Sequence, residues 1–149
     1  MIVASIKEDI NLEKRISITP ESAKNLIALG LSINLEKNYA THLGIDDKEY
    51  ENYGVKFFNN ASEVINNSIL ILRVNCPNHE DVANLKEKQI LIGMFNPSKN
   101  IDILKKILQK KINIFSLELL PRISRAQSMD VLSSQSNLAG YRAVVDSIY

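Results

Sequence analysis

Apolar positions along the chain fall into short runs that alternate with longer segments of helical period. Ile2-Val3-Ala4-Ser5-Ile6 reads as a first strand, and the polar stretch Lys7 to Ile18, carrying Glu8, Glu13, Lys14 and Arg15, leads to a helix. Thr19 is placed to cap that helix, with Pro20 in the first helical position and Glu21 behind it, and Gly30 to stop it. Ala23, Leu26, Ile27 and Leu29 give it one apolar face. Leu31 to Leu35 predicts a second strand. Gly44 to Tyr53 predicts a short helix or turn ending at Gly54, and Val55 to Phe58 a third strand.

Asn60 is placed to cap a helix over Ala61 to Asn66. The nearly unbroken apolar run Ser68 to Val74 then predicts a central parallel strand covered on both faces, ending in the loop Asn75-Cys76-Pro77. His79 to Leu85 predicts a short helix, and Gln89 to Phe95 another buried strand closed by Pro97. Between Ser98 and Lys111, Ile101, Leu104, Ile107 and Leu108 recur at helical spacing opposite lysines. Ile112 to Leu117 predicts the last strand. Regular alternation of this kind predicts an α/β fold with a doubly wound, mostly parallel sheet and right-handed crossovers, flavodoxin-like or Rossmann-like.

The final segment differs in kind. Leu138, Tyr141, Val145 and Ile148 form one stripe of a helix running from Val131 to Tyr149, and Ser133, Ser136, Gly140, Ala143 and Ser147 form a stripe of small residues beside it. Gly140 costs such a helix about 1 kcal/mol relative to alanine, so a close packing partner is expected. The pattern runs to the last residue without a stop signal, as expected of an element crossing to another domain or subunit; a partly buried terminal helix is the plainer reading.

Before that helix comes a polar corner, Pro121-Arg122-Ile123-Ser124-Arg125-Ala126-Gln127-Ser128-Met129-Asp130, where an α/β sheet usually keeps its ligand site. Arg122, Gln127, Asp130 and Ser133 offer donors and acceptors of different shape, suited to a flat neutral group with an amide rather than to a bare phosphate. The simpler reading of the same residues is local: Ser128 caps the helix, Asp130 complements its positive end, and the arginines tie down loop carbonyls.

With 149 residues and 45% hydrophobic content the chain can bury one substantial core. Its 18 basic and 17 acidic residues leave a net charge of +1, which gives no electrostatic case for nucleic acid or an anionic membrane. Cys76 is the single cysteine, so no internal disulfide forms, and no metal-ligand spacing of Cys or His is present. No apolar run approaches the roughly 20 residues that span a bilayer, and the N-terminus reads as a strand rather than a signal sequence. A cytoplasmic setting is expected.

The five glycines, at 30, 44, 54, 93 and 140, form no Gly-rich phosphate loop. His42 and His79 have no partners at nucleophile, base or metal spacing. Cys76 has no neighbour in sequence that would activate it. Asp46, Asp47, Glu49 and Glu51 read as a solvated acidic face. Arg73 reads as a strand-end residue reaching solvent, and Arg15 equally as a ligand-gripping arginine or a loop anchor.

The run PRISRAQSMDVLSSQSNLAGYRAVVD resembles the loop and following helix of the NAD(H)-binding component, the alpha subunit in bacteria, of proton-translocating nicotinamide nucleotide transhydrogenases; Met1 to Glu118 resembles the same component more loosely. The resemblance matches the family's Arg-Gln-Asp loop at Arg122, Gln127 and Asp130 and its serine at Ser133. It implies that these residues bind the nicotinamide and ribose of NAD(H), and that the first three serve the hydride transfer. It further implies an α/β N-terminal domain over 1–128 and a linking helix over 129–149 toward an NAD-binding Rossmann domain that is not in this sequence.

The implied reaction is hydride transfer from NADH to NADP+, with NADP(H) held by a partner component. Implied partners are the remainder of the alpha subunit, the NADP(H)-binding component and membrane-spanning subunits, with the protein homodimeric and peripheral on the inner membrane. Alone, the chain is expected to be inactive. Alanine dehydrogenases share the fold and an Arg-x-x-x-Thr-Pro signature, met here by Arg15, Thr19 and Pro20. Their substrate lysine and histidine positions are here Asn75 and the stretch Gly93-Met94-Phe95-Asn96-Pro97, without histidine, which makes an alanine dehydrogenase fragment the alternative. A non-catalytic remnant of the same fold is the other.

Overall fold

The computed structural model describes residues 1–148. Six strands, β1 (Ile2–Ser5), β2 (Ser32–Glu36), β3 (Lys56–Phe58), β4 (Leu70–Leu72), β5 (Ile90–Gly93) and β6 (Asn113–Ser116), pair in the order β3-β2-β1-β4-β5-β6. All the pairs are parallel, so the expected "mostly parallel" sheet is parallel throughout. The order is that of the Rossmann fold rather than the flavodoxin fold, and its direction reverses between β1 and β4.

Six α-helices connect and follow the strands: α1 (Pro20–Ala28), α2 (Asp47–Glu51), α3 (Ala61–Asn66), α4 (His79–Asn84), α5 (Ile101–Gln109) and α6 (Val131–Asp146). Local chemistry sets their starts. Thr19 Oγ1 accepts from the Ser22 amide at 3.1 Å and Asn60 Oδ1 from Glu63 at 2.9 Å, each supplying an acceptor to an amide the first helical turn leaves free. Gly30, at φ +82°, takes the left-handed turn that ends the first helical segment.

Alternation along the strands divides the core in two. Ala4, Ile6, Ile71, Leu91 and Ile112 point to the face covered by α3, α4 and α5, where Val64, Ile65, Val82, Leu104 and Ile107 meet them. Val3, Ile33 and Leu35 point to the other face, beneath Ala23 of α1 and Tyr50 of α2. Three residues expected on apolar helix faces lie exposed. Leu29 is 78% exposed because its helix ends before its side chain can turn inward, and in α5 only Leu104 and Ile107 are buried while Ile101 and Leu108 flank the contact in solvent. Gly93 is required by close approach: an added Cβ would lie 2.5 Å from the Arg73 carbonyl oxygen and 2.6 Å from the Phe95 ring.

The long loop after β1 is pinned over the sheet. Tyr39 Oη accepts from the Ser17 and Ile18 amides at 3.0 and 3.3 Å and donates to Ser5 Oγ at 2.8 Å. A run of 3-10 turns, Leu117–Leu119 and Ser124–Met129, follows β6 and shapes the polar corner. The last strand, predicted to reach Leu117, ends at Ser116, where the first of these turns takes over, and the second was not expected.

The terminal helix stops at Asp146, with Ser147 as its C-cap; Tyr149, to which the pattern was expected to run, lies outside the described residues. None of its residues is buried, and Leu138 and Tyr141 are exposed. Nothing lies within 4 Å of a Cβ added at Gly140, so among the described residues the stripe of small residues has no close packing partner.

Candidate functional site

The polar corner encloses a cavity of about 300 Å³ beyond the carboxyl end of β6. Arg122, Gln127 and Asp130 all line it, together with Leu117, Glu118 and Leu132. Proline at 121 and the 3-10 turns fold the chain back on itself, so residues eight apart in sequence share one hollow. Ser133 does not line it. Its amide and hydroxyl donate to the two carboxylate oxygens of Asp130, at 3.0 and 2.6 Å. Asp130 is therefore the cap of α6, and the expected cap Ser128 is not: the helix begins at Val131, too far on for Ser128 to reach its free amides.

These bonds favour the ionised form of Asp130. The Ser133 hydroxyl, then its amide, hold the carboxyl below its ordinary value, with Arg122 adding a smaller electrostatic contribution. The two groups form no ion pair; among the described residues none of the ion pairs includes Arg122. Its guanidinium thus stays available at the cavity.

Glu118, one residue beyond the last predicted strand, is a wall of this cavity. Its Oε1 accepts from the Asn96 amide, while Oε2 is buried without a hydrogen-bond partner among the described residues. A buried acceptor left unmatched is costly and invites an N–H donor. The only signal in the sequence was a lone charge in an apolar run ending at a loop.

A second cavity, of about 310 Å³, spans the point where the strand order reverses and shares Leu117 with the first. It is lined from the β1 loop by Arg15, Ile16 and Ser17, from strand ends by Arg73 and Met94, and from α6 by Val131 and Gln135. Arg15 pairs bidentately with Glu13 at 2.9 and 2.6 Å, and its remaining terminal nitrogen donates to Gln135 at 3.0 Å. It is thus a loop anchor that also tethers α6. The Arg15 hydrogen bonds lower the Glu13 carboxyl against the opposing effect of burial.

Arg73 is not the solvent-reaching residue expected. It is 8% exposed, with Nε and one terminal nitrogen donating to Glu8 at 3.0 Å each and the other to Asp81 at 2.7 Å. Burial opposes its charge, and the two carboxylates outweigh that opposition, so its pKa is held above the ordinary value. Glu8 also accepts from the Val74 amide at 2.7 Å. One guanidinium thereby locks the β1 loop to β4 and α4.

The other candidates are local. Burial pushes the Cys76 thiol up to about 11, away from nucleophilic chemistry. His42 Nε2 bonds the Lys14 carbonyl at 2.8 Å, and His79 is the exposed first residue of α4 behind the cap Asn78. The acidic cluster is more than a solvated face. Asp46 and Glu49 form a capping box for α2, and Asp47 accepts from the Asn38 amide at 2.8 Å. Among the described residues no group of His, Cys, Asp and Glu could hold a metal ion, and no helix is long and apolar enough to cross a membrane.

Comparison with known proteins converges on one group. A family model described as the N-terminal domain of alanine dehydrogenase/PNT matches residues 5–139. An NAD(P) transhydrogenase subunit alpha polypeptide of Rickettsia prowazekii is 36% identical over 153 residues, covering all of this chain and 40% of its own length. The NAD(P) transhydrogenase subunit alpha of Haemophilus influenzae is 32% identical over 149 residues, covering all of this chain and 29% of its own length. A transhydrogenase structure from Sinorhizobium meliloti superposes with a TM-score of 0.91 at 36% identity, over 98% of this chain and 43% of that one. An L-alanine dehydrogenase shares the fold, with a TM-score of 0.74 at 18% identity over 79% of this chain and 32% of its own. The chain thus spans well under half the length of these relatives.

Proposed function

The chain belongs to the alanine dehydrogenase/PNT N-terminal domain family, and from that premise we propose that it is the N-terminal portion of a transhydrogenase alpha subunit whose polar corner orients the nicotinamide of NAD(H). The observation that carries this reading is the meeting of Arg122, Gln127 and Asp130 in one cavity, with the unpartnered Glu118 Oε2 in its wall. A carboxamide presents one acceptor and two donors in a plane. Arg122 and Gln127 can donate to its oxygen, and Gln127 and Glu118 can accept from its nitrogen. Asp130 supplies a wall held in place by its bonds to Ser133, so Ser133 acts through Asp130.

The cofactor supplies the hydride chemistry, and the protein supplies orientation and exclusion of water. Direct transfer between two nicotinamide rings needs no side-chain proton, which suits a cavity whose lining includes neither histidine nor lysine. In this reading 1–128 is the α/β domain, and 129–149 leads toward a nucleotide domain carrying the Gly-rich loop. The NADP(H)-binding component, the membrane-spanning subunits and a homodimeric assembly belong to the same proposal.

Gln127→Ala in the complete protein is the test. Hydride transfer from NADH to NADP+ is expected to fall on the order of tenfold or more, with NADH affinity changed on the order of twofold, because the residue orients rather than grips. Equal losses in both would refute the positioning role. Residues 1–149 alone are expected to show no micromolar heat of binding with NADH, and such binding would overturn the partial-site reading.

A further inference from the structure

A single hydrogen bond ties the side chains of α6 to the sheet body. Among the described residues no residue of α6 is buried, and the bond that Arg15 donates to Gln135 Oε1, at 3.0 Å, is the one side-chain hydrogen bond of α6 that reaches a residue before Asp130. Gln135 lies five positions beyond Asp130, about 7.5 Å along the helix axis. Asp130 caps the first turn but leaves the direction of the axis open. A second contact that far along fixes it. Leu132 lines the first cavity and Gln135 the second, so this contact sits across the partition between the two.

The donor is held rigid. Glu13 accepts from two nitrogens of the Arg15 guanidinium, at 2.9 and 2.6 Å, and from the Arg15 amide at 2.9 Å. The same loop is bound to β4 through Glu8 and Arg73, and to β1 through Tyr39 and Ser5. The planar fork of arginine lets two nitrogens serve Glu13 while the third points at Gln135, a division of donors that the single nitrogen of lysine does not reproduce. The Gln135 contact differs from the rest of this series. It is single, the Arg15 side chain is 47% exposed and Gln135 is exposed, so water competes for both partners and this contact opens before the others.

We propose that Arg15 is a positioning residue, and that its contact with Gln135 is a latch setting the direction of α6. Through α6 the latch sets where the further polypeptide of the longer relatives lies with respect to Arg122, Gln127 and Asp130. Latched, the two parts of the protein that hold one cofactor keep register; released, they lose it. The effect on hydride transfer rests on the function proposed above, whereas the effect on the direction of α6 rests on geometry alone.

The test compares three variants of the complete protein. Gln135→Met keeps the side-chain length and the helix propensity but removes the acceptor, Gln135→Glu keeps the acceptor, and Arg15→Lys keeps the charge without the fork. Spin labels at Leu108→Cys of α5 and Arg142→Cys of α6, both exposed, in a Cys76→Ser background, report the distance between the two helices by double electron–electron resonance. Labelled protein is diluted with unlabelled so that distances within one chain dominate. The expected result is a narrow distribution in the parent and in Gln135→Glu, and one broader by on the order of 3–5 Å in Gln135→Met and Arg15→Lys. Hydride transfer at saturating NADH is expected to fall on the order of threefold to tenfold in those two and to stay within about twofold of the parent in Gln135→Glu. The melting midpoint of Gln135→Met is expected within about 2 °C of the parent, as for an exposed contact. A distribution unchanged in Gln135→Met overturns the latch, and so does a broadened distribution with an unchanged rate. An equal loss of rate in Gln135→Glu, or a loss in Gln135→Met matched by a fall in its midpoint, marks a merely structural contact and overturns it too. Gln127→Ala leaves the latch intact, so failure of the nicotinamide reading and failure of the latch are told apart.

Discussion

Arg73→Met removes the one positive charge between two carboxylates that burial has already taken out of water. The side chains of Arg73, Glu8 and Asp81 are 6%, 5% and 11% exposed, so neither acid can turn to solvent without moving the β1 loop or α4. Breaking a buried pair by deleting one member costs about 3–5 kcal/mol, against about 0–1 kcal/mol for a surface pair. At about 2–4 °C per kcal/mol for a chain of this size, the melting midpoint is expected to fall by about 6–20 °C. Urea unfolding followed by far-ultraviolet circular dichroism reads the free energy, and calorimetry the midpoint. A companion variant, Arg73→Met with Glu8→Gln and Asp81→Asn, removes the stranded charges and is expected to recover more than half of the loss. It also tests the clamp if the single variant fails to fold. A loss below about 1 kcal/mol in the single variant would refute the clamp.

Gly93→Ala is expected to destabilise by about 1–3 kcal/mol, measured by urea unfolding, because the new methyl meets the Arg73 carbonyl, which is backbone and cannot swing away. The Asp130 carboxyl, held below its ordinary value by Ser133, stabilises the start of α6 above the ordinary carboxylate pKa and loses that contribution as pH falls through its lowered value. Amide protection at Leu132 and Ser133, taken relative to the intrinsic exchange rate at each pH, should therefore fall on acidification below about pH 4 in the parent and show no such step in Asp130→Asn. With its pKa pushed up to about 11, Cys76 should react with iodoacetamide at pH 8 on the order of a hundredfold more slowly than an ordinary thiol. A rate equal to free cysteine would show that the loop opens.

The elements were legible because each carries its own local signal. Asn60 before Ala61 and the Thr19-Pro20 start are complete within four residues, and both helices begin where those residues place them. Runs such as Ser68 to Val74 announce strands, although only Leu70–Leu72 is paired as such, since the apolar run continues past the ladder. The role of Arg73 was not legible, because its partner Glu8 lies 65 positions away and only the folded topology brings the two together. Asp130 as a cap was legible in principle, with Ser133 three residues on, but Ser128 offered the same chemistry two positions earlier. The gathering of Arg122, Gln127 and Asp130 followed from their place on one turn. Glu118 was hidden because its neighbours are apolar and its pairing with the Asn96 amide crosses two strands' loops.

Asp130 is at once the first anchor of α6 and a panel of the first cavity, which makes the helix a lever with its fulcrum at the pocket. Sixteen residues at 1.5 Å each give an arm of about 24 Å, so a swing of about 10° carries the far tip about 4 Å. Atoms within a bond or two of the fulcrum move less than about 1 Å in the same swing. Whatever is fastened to the distal end can travel through a wide arc, while the side chains gathered at Asp130 feel it as a fine adjustment.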